Sequence, residues 1–500
     1  MPTTMPGSDT MPFPPNSVYI AGEWISSPDL ERLPVLNPAS EEVIGSIVDA
    51  SPAEVEAAFA AARAALPKWS ATAPGQRADV LDRLADAFRE HGEELAVLAS
   101  REIGMPIKES RAGQADLPER VLRSTADIAR NFPWEARDAS GTTVIREPVG
   151  VVLGITPWNF PVHQIVAKLA PALAAGCTIV LKPAELTPLN GLFVAALCER
   201  IGVPSGVVNV LTGRGATTGE ALVQSGQYDL VSFTGSLAVG RHIGAVAGER
   251  VVRATLELGG KSPAVVLDDA DVEAAVRATV RNCFTNAGQK CNAPTRLIVP
   301  EARREEAVSI AASAAAAYVL GDPLDENSTM GPLASALQRE KVLSYVESAR
   351  ARGARVAGGG AVDGVNRGYF VRPAIITDVE PDDPVVQEEI FGPVLVVLGH
   401  EGEDDAVRLA NDTPYGLSAE VWSGNPARAA DLARRIHAGQ VRVNGVRTPA
   451  LPISPFGGYK ASGLGRELGP FGLEEYVEVK AVLGDPSDSI PSKEEPQCVL

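Results

Sequence analysis

At 500 residues the chain exceeds what one hydrophobic core usually serves, so two or three domains are expected. With 45% hydrophobic and 22% charged residues it has the composition of a soluble globular protein. A formal net charge of −18 argues against nucleic acid or an anionic membrane as partner, because both call for a basic surface.

The first residues hold Pro, Thr, Ser and Gly through Ser17, without a basic start followed by an apolar run, so no secretory signal is expected and segment 1–17 reads as a disordered tail. Ser51-Pro52-Ala53-Glu54 combines an N-cap serine, a proline at the first helical position and a glutamate at the third, and predicts a helix running to about Trp69. Helical periodicity continues from about Gln76 to Arg101 and from Leu117 to Asn131, a helical lead-in to the first strongly strand-like segment.

From Gly150 short apolar runs alternate with helical stretches. Val151–Ile155, Thr178–Lys182, 207–211 and 230–233 read as strands, with helices over 164–175, 189–201, 217–225 and 238–247. That rhythm implies a parallel sheet covered by helices. A second α/β rhythm follows, with strands at 264–267, 296–299 and 394–398 and helices over 272–286, 303–318 and 335–352. Gly358-Gly359-Gly360 reads as a turn, since Tyr369-Phe370-Val371 beyond it is strand-like and a phosphate loop needs a helix there. Tyr476 to Val482 alternates apolar and polar residues, as an edge strand that must be paired or covered does. Gln497-Cys498-Val499-Leu500 places its cysteine third from the end, where prenylation requires fourth, so the tail reads as unmodified.

Five cysteines (177, 198, 283, 291, 498) lack zinc-site spacing in a chain too large to need disulfides, which suggests a reducing cytoplasm. The five histidines (91, 163, 242, 400, 437) show no ligand spacing, and no metal is expected.

Two residues carry the chemistry. Cys291 follows a Gly-Gln turn and supplies a nucleophile able to form a covalent intermediate, and Glu257, 34 residues earlier at the end of an apolar strand, supplies a base able to hydrolyse it. Together they suggest oxidation through a thioester. The cysteine needs positive charge or helix dipoles nearby, and Lys290 stands beside it. Cys283 reads as a small buried hydrophobe. Asn159, at a strand end, can offer its amide with the Cys291 N–H to an oxyanion. Gly235-Ser236-Leu237-Ala238-Val239-Gly240 follows a strand and opens a helix whose first amides could approach a pyrophosphate. Lys182 and Glu185 end another strand, where both could hold a ribose; a 2′-phosphate would meet the charge of Glu185, which favours NAD over NADP without excluding NADP.

Pro157-Trp158-Asn159-Phe160-Pro161, Phe233-Thr234-Gly235-Ser236, Glu257-Leu258-Gly259-Gly260-Lys261, Gly288-Gln289-Lys290-Cys291, Glu389-Ile390-Phe391-Gly392-Pro393 and Pro455-Phe456-Gly457-Gly458 occur in that order. Over about Tyr19 to Tyr476 the chain resembles the aldehyde dehydrogenase superfamily of the hydrolytic, non-CoA-acylating type. The resemblance implies two Rossmann-like parallel-sheet α/β domains plus a small β oligomerisation element. The expected partition is a cofactor domain at 18–127 and 149–258, a catalytic domain at 259–471, the oligomerisation element at 128–148 and 472–486, and a tail at 487–500. It implies a cytoplasmic homodimer or homotetramer, the terminal strand crossing to a neighbouring subunit.

By the same resemblance, Thr156, Pro157, Trp158, Gly215, Phe233, Gly235, Ser236, Gly240 and Leu258 line the cofactor with Lys182 and Glu185, while Glu389 and Phe391 hold the nicotinamide ribose and ring. Lys168 and Glu467 match a polar relay behind the base. Phe160 and Phe456 keep an aromatic identity along the substrate tunnel; Ala167, Thr285 and Ala450 replace rings found in many relatives, which suggests a roomier tunnel. Lys290 departs from the uncharged residue many relatives carry, and could meet a carboxylate-bearing semialdehyde or help the thiolate. The rival readings are a coenzyme A-acylating semialdehyde dehydrogenase, against which the presence of Glu257 argues, and a non-catalytic nucleotide-binding protein that retains the fold.

Overall fold

A computed structural model describes residues 11–26, 29–362, 364, 367–445 and 452–483. Its largest sheet has eight strands in the order Gly463–Leu464, Arg253–Glu257, Leu230–Thr234, Val151–Ile155, Thr178–Lys182, Val208–Val210, Ser17–Ile20, Glu23–Ser26. The five from Arg253–Glu257 to Val208–Val210 run parallel, and the outer ones are antiparallel. Chain order reverses between Val151–Ile155 and Leu230–Thr234, the crevice at which open α/β sheets bind ligands.

Both faces of this sheet are covered, which is why its strands are buried end to end. Helices Pro74–Glu90, Leu117–Asn131, Pro161–Ala175 and Pro188–Arg200 pack into the core on one side. Pro52–Ser70 and Leu237–Glu249 pack on the other. Ser51 caps the helix Pro52–Ser70 as its sequence demands: Ala53 N–H donates to Ser51 Oγ (3.2 Å) and Ser51 N–H to Glu54 Oε2 (2.9 Å).

A seven-stranded sheet follows, ordered Arg355–Gly358, Ala374–Thr377, Val394–His400, Arg296–Pro300, Pro263–Val266, Ser418–Trp422, Gln440–Val443 and parallel except at its first pair. It has its own apolar core. Val477–Val482 joins Thr143–Pro148 and Glu135–Arg137 in a three-stranded sheet, and Val479 and Val482 are exposed on it.

Several expectations need correction. The segment read as disordered through Ser17 is ordered from Met11: Phe13 is buried against Trp24 (ring centroids 5.9 Å) and Ser17 begins a strand. Ahead of the helical lead-in stand four strands that the sequence reading does not anticipate, of which Ser17–Ile20 and Glu23–Ser26 extend the large sheet and Arg32–Leu36 pairs with Val43–Val48. Gln76–Arg101 is two helices, Pro74–Glu90 and Gly92–Ile103, because His91 leaves helical geometry at φ −106°, ψ 20°. The helix expected to Asn286 ends at Cys283. Tyr369-Phe370-Val371 makes only a single bridge, Val371 to Ala361. Gly463–Leu464, inside the stretch expected to be catalytic domain, instead lengthens the first sheet by pairing with Leu256 and Glu257.

Among the described residues no helix is long and apolar enough to cross a membrane, and no group of three or more His, Cys, Asp or Glu side chains could hold a metal ion.

Candidate active site

Glu257 ends Arg253–Glu257 in the first sheet, and Cys291 lies in the loop between the helix Val272–Cys283 and the strand Arg296–Pro300 of the second. Asn286, Ala287 and Gly288 precede the cysteine with φ of 51°, 52° and 74°, a run of left-handed residues that turns the chain sharply after the helix. Left-handed geometry costs a non-glycine residue about 1–2 kcal/mol, and neighbours hold it in place. Asn286 N–H donates to Glu109 (2.8 Å), Asn286 Nδ2 to the Asn159 carbonyl (2.9 Å), and Gln289 Oε1 accepts from Ala334 N–H (2.9 Å). A side chain on Gly288 would strike the Gly392 carbonyl at 2.1 Å, so only glycine fits.

Asn159 belongs to the same bonded set. Its Nδ2 donates to the Gln289 carbonyl (3.0 Å), which holds the amide beside the cysteine loop and leaves its second N–H uncommitted. Gly259 and Gly260, directly after Glu257, let the loops close: a Cβ on Gly260 would lie 2.5 Å from the Cys291 carbonyl, and one on Gly259 2.5 Å from Glu389 Oε2. Glu389 Oε1 accepts from Gly260 N–H (2.9 Å).

Glu257 is buried, and neither carboxylate oxygen has a hydrogen-bond partner among the described residues. An unpaired buried carboxylate is costly. Burial first, then the charge of Glu467, holds its proton on well above the ordinary range. Glu467 Oε1 accepts from Lys168 Nζ at 2.6 Å, and Lys168 Nζ also donates to Thr234 Oγ1 at 2.7 Å. Lys168 thus sits fully buried in a largely apolar helix because both partners satisfy it. Burial, with Glu389 and Glu257 in support, pushes the half-buried Cys291 thiol up to about 12, while Lys290 and the Asn292 N–H pull it down. Lys290 is itself lowered to about 8, by burial and then by Arg442.

Toward the sheet crevice, Thr156 keeps a buried hydroxyl without a partner among the described residues, and Trp158 meets Phe391 edge-on with ring centroids 5.4 Å apart. Phe391 is left-handed at φ 60°, fixed by Gln338 Nε2 donating to its carbonyl (2.7 Å). Lys182 Nζ stands 3.8 Å from Glu185 Oε2, and Gly215 approaches the same carboxylate, 4.0 Å from where its Cβ would be. Ser236 caps the 13-residue helix Leu237–Glu249, and Gly240 in its first turn packs against Leu258. Gly235 lies over Phe233.

Of the residues expected at the substrate, Phe160 stands at the start of Pro161–Ala175 against Gly113, and Phe456 bridges Glu467 through backbone bonds. Thr285 Oγ1 is engaged with the Arg281 carbonyl (3.1 Å). Ala167 is buried beside Lys168 in helix Pro161–Ala175. Ala450 lies outside the described residues.

Sequence reasoning misses Glu109, whose carboxyl is raised to about 7 by burial; Asn286 and Gln289, which lock the cysteine loop; and Lys341, whose Nζ donates to the Glu389 carbonyl (3.0 Å). Asn286 and Gln289 lie within five residues of the cysteine, where their proximity is a signal, but nothing local marks Glu109, 177 residues from its partner.

The family model for the aldehyde dehydrogenase family matches residues 24–482. The chain belongs to the aldehyde dehydrogenase family. It is 42% identical to a 3-succinoylsemialdehyde-pyridine dehydrogenase of a Pseudomonas species over 93% of this chain and 98% of that protein. It is 41% identical to a geranial dehydrogenase of Castellaniella defragrans over the same shares. Among solved structures it superposes on a cysteine-to-alanine variant of aldehyde dehydrogenase C from Pseudomonas syringae, in complex with NAD+ and octanal, with TM-score 0.92, 42% identity and coverage of 95% of this chain and 98% of that one. Betaine aldehyde dehydrogenase from Staphylococcus aureus in complex with NAD+ matches with TM-score 0.90, 37% identity and coverage of 93% and 94%.

Proposed function

We propose that the protein oxidises an aldehyde to its carboxylic acid with NAD as hydride acceptor, through a thioester on Cys291 that water, activated by Glu257, hydrolyses. The carrying observation is the Glu257 carboxyl: buried, without a hydrogen-bond partner among the described residues and high in pKa, it is a strong base once ionised, close enough to Cys291 for its charge to act on the thiol. The Cys291 thiol, helped by Lys290 and the Asn292 N–H, gives its proton to solvent, and the thiolate adds to the aldehyde carbon. The oxyanion formed is received by the free N–H of Asn159 and the Cys291 backbone N–H. Loss of the aldehyde hydrogen as hydride, which NAD accepts when bound, leaves the thioester. Glu257 then takes a proton from water as its oxygen attacks the acyl carbon; the C–S bond breaks and the acid leaves. Lys168 and Glu467 pass the proton from Glu257 onward.

The chain's own features fit NAD: the start of the 13-residue helix Leu237–Glu249 beyond Ser236, the Thr156 hydroxyl without a partner among the described residues, and the Lys182–Glu185 pair for a ribose. Gly215, Phe233, Gly235, Gly240 and Leu258 shape the backbone approach, and Glu389 with Phe391, Trp158 and Pro157 take the nicotinamide end. Glu185 favours NAD over NADP.

Relatives acting on geranial and on 3-succinoylsemialdehyde-pyridine, and a neighbour holding octanal, support a bulky or apolar aldehyde, in keeping with Ala167, Thr285 and Ala450 standing in the sequence where many relatives carry rings. A second reading, a carboxylate-bearing semialdehyde, rests on Lys290, half-buried and without an ion pair among the described residues; the nearby Glu109 opposes it. We assign the eight-stranded sheet region to the cofactor domain, the seven-stranded one to the catalytic domain, and the exposed Val477–Val482 strand to a homodimer or homotetramer contact in the cytoplasm.

The test is reduced-cofactor absorbance with NAD or NADP and a panel of aliphatic, aromatic, amino and acidic aldehydes, with and without coenzyme A, beside Cys291→Ala and Glu257→Gln. Turnover without coenzyme A that vanishes in Cys291→Ala and stalls after one acylation in Glu257→Gln is expected. Cofactor binding without turnover on any aldehyde would favour the non-catalytic reading.

A further inference from the structure

Arg214 immediately precedes Gly215, which borders the subsite proposed to hold a ribose between Glu185 and Lys182, yet its guanidinium is tied down elsewhere. Nη2 donates to Glu31 Oε1 (2.7 Å), while Nη1 donates to Glu31 Oε2 (2.9 Å) and to Asp49 Oδ2 (3.0 Å). The Arg214 backbone N–H also donates to Asp49 Oδ1 (3.0 Å), and the hydroxyls of Thr217 and Thr218 fix Asp49 at 2.7–2.8 Å. The neighbouring Gly215 approaches Glu185, Gly219 approaches Lys182, and Lys182 feels the charge of both Glu185 and Asp49. One neighbourhood therefore holds three carboxylates, Glu31, Asp49 and Glu185, against two cations, Lys182 and Arg214.

We propose that Glu31 and Asp49 sequester Arg214 and so form a second determinant of cofactor choice, acting with Glu185 to reject a 2′-phosphorylated adenosine. The inference rests on the proposed NAD site. A free guanidinium is the side chain best shaped to clasp a phosphate in bidentate fashion. Three of its five N–H groups, both on Nη1 and one on Nη2, are committed to the two carboxylates, and an incoming phosphate adds to an acidic surplus. Glu185 alone would set a like-charge barrier; the clamp also withholds the arginine adjoining Gly215 that could offset it.

Glu31 is the handle, because its side chain is 64% exposed and its removal leaves Asp49 to keep the loop in place. The experiment is calorimetric binding of ADP-ribose and 2′-phospho-ADP-ribose to the full-length protein, alongside kcat/KM for NAD and NADP, in wild type, Glu31→Gln, Glu185→Ser, the double variant, and the double variant with Arg214→Ala. Glu31→Gln should improve the 2′-phospho over plain ligand ratio about threefold, and more on the Glu185→Ser background, as expected for freeing one partly exposed charge. Adding Arg214→Ala should cancel that gain, and about 0.5 M salt should shrink it. If Glu31→Gln leaves the ratio unchanged on both backgrounds, or the gain survives Arg214→Ala, the clamp is refuted. If neither ligand binds wild type, the NAD reading itself fails.

Discussion

Gly260→Ala tests whether the two sheets must close to backbone contact for the cysteine to work. The glycine is not left-handed, so the substitution adds only a methyl group, with no backbone strain. That methyl would lie 2.5 Å from the Cys291 carbonyl oxygen, with the buried Leu417 side chain at 3.2 Å, so it cannot turn aside. Ordinary contact begins at 3.4 Å, and the cysteine loop must retreat by about 0.9 Å. Overpacking of this kind costs about 1–3 kcal/mol, and a misplacement near 1 Å at a reacting centre costs about 100-fold in rate. We expect kcat/KM to fall about 100-fold while the protein stays folded by circular dichroism. Gly75→Ala, with nothing within 4 Å of the added methyl, serves as the neutral control. A Gly260→Ala enzyme within twofold of wild type would refute the close-approach argument.

Three further outcomes follow from the charges. Glu467→Gln removes the carboxylate that helps hold the proton on Glu257, so the acidic limb of the kcat–pH profile should move to lower pH. An unmoved limb would detach Glu467 from the base. Lys290→Met removes the cation that lowers the Cys291 thiol, so alkylation by iodoacetamide at pH 8 should slow several-fold; equal or faster alkylation would contradict it. Burial raises Glu102 from 4.5 to about 8, so the folded protein keeps a proton that the unfolded chain has lost, and this residue's contribution lowers stability as pH climbs from about 4.5 to about 8. Glu102→Gln has no such proton, and guanidinium melts at pH 6 and pH 8 should differ less for it than for wild type; an equal difference would remove Glu102 as the source.

Features set by neighbours along the chain are legible in the amino-acid sequence. The helix Leu117–Asn131 and the capped start at Ser51 follow from periodicity and from one serine–glutamate pair, and the parallel strands from Val151 onward are apolar runs long enough to declare themselves. The strands preceding Ser51 are hidden because they are short hairpins of mixed polarity, Glu23–Ser26 on Ser17–Ile20 and Val43–Val48 on Arg32–Leu36, and the first is tied to the sheet at Tyr19 by distant Val210. Asn286 and Ala287 suit a helix by composition; the Glu109 bond and the Gly392 backbone impose the left-handed geometry instead. At the site, motif residues identify Cys291, Glu257 and Asn159 as candidates, but that both oxygens of Glu257 are left without partners among the described residues emerges only when the elements are assembled.

The pairing of Gly463 with Glu257 also bears on how the molecule is made. Ser462 binds both sides of the turn after the glutamate, its carbonyl accepting from Leu258 N–H at 2.9 Å and its hydroxyl donating to the Gly259 carbonyl at 2.7 Å. During synthesis on the ribosome the strand Arg253–Glu257 therefore waits, its edge unpaired, while about two hundred further residues emerge and build the second sheet. An open edge is a template for wrong pairing. Chains interrupted before residue 463 would carry the glutamate on a raw edge and should be drawn to aggregation or to chaperones, so the last strand to join the first sheet acts as a quality check on the completed fold.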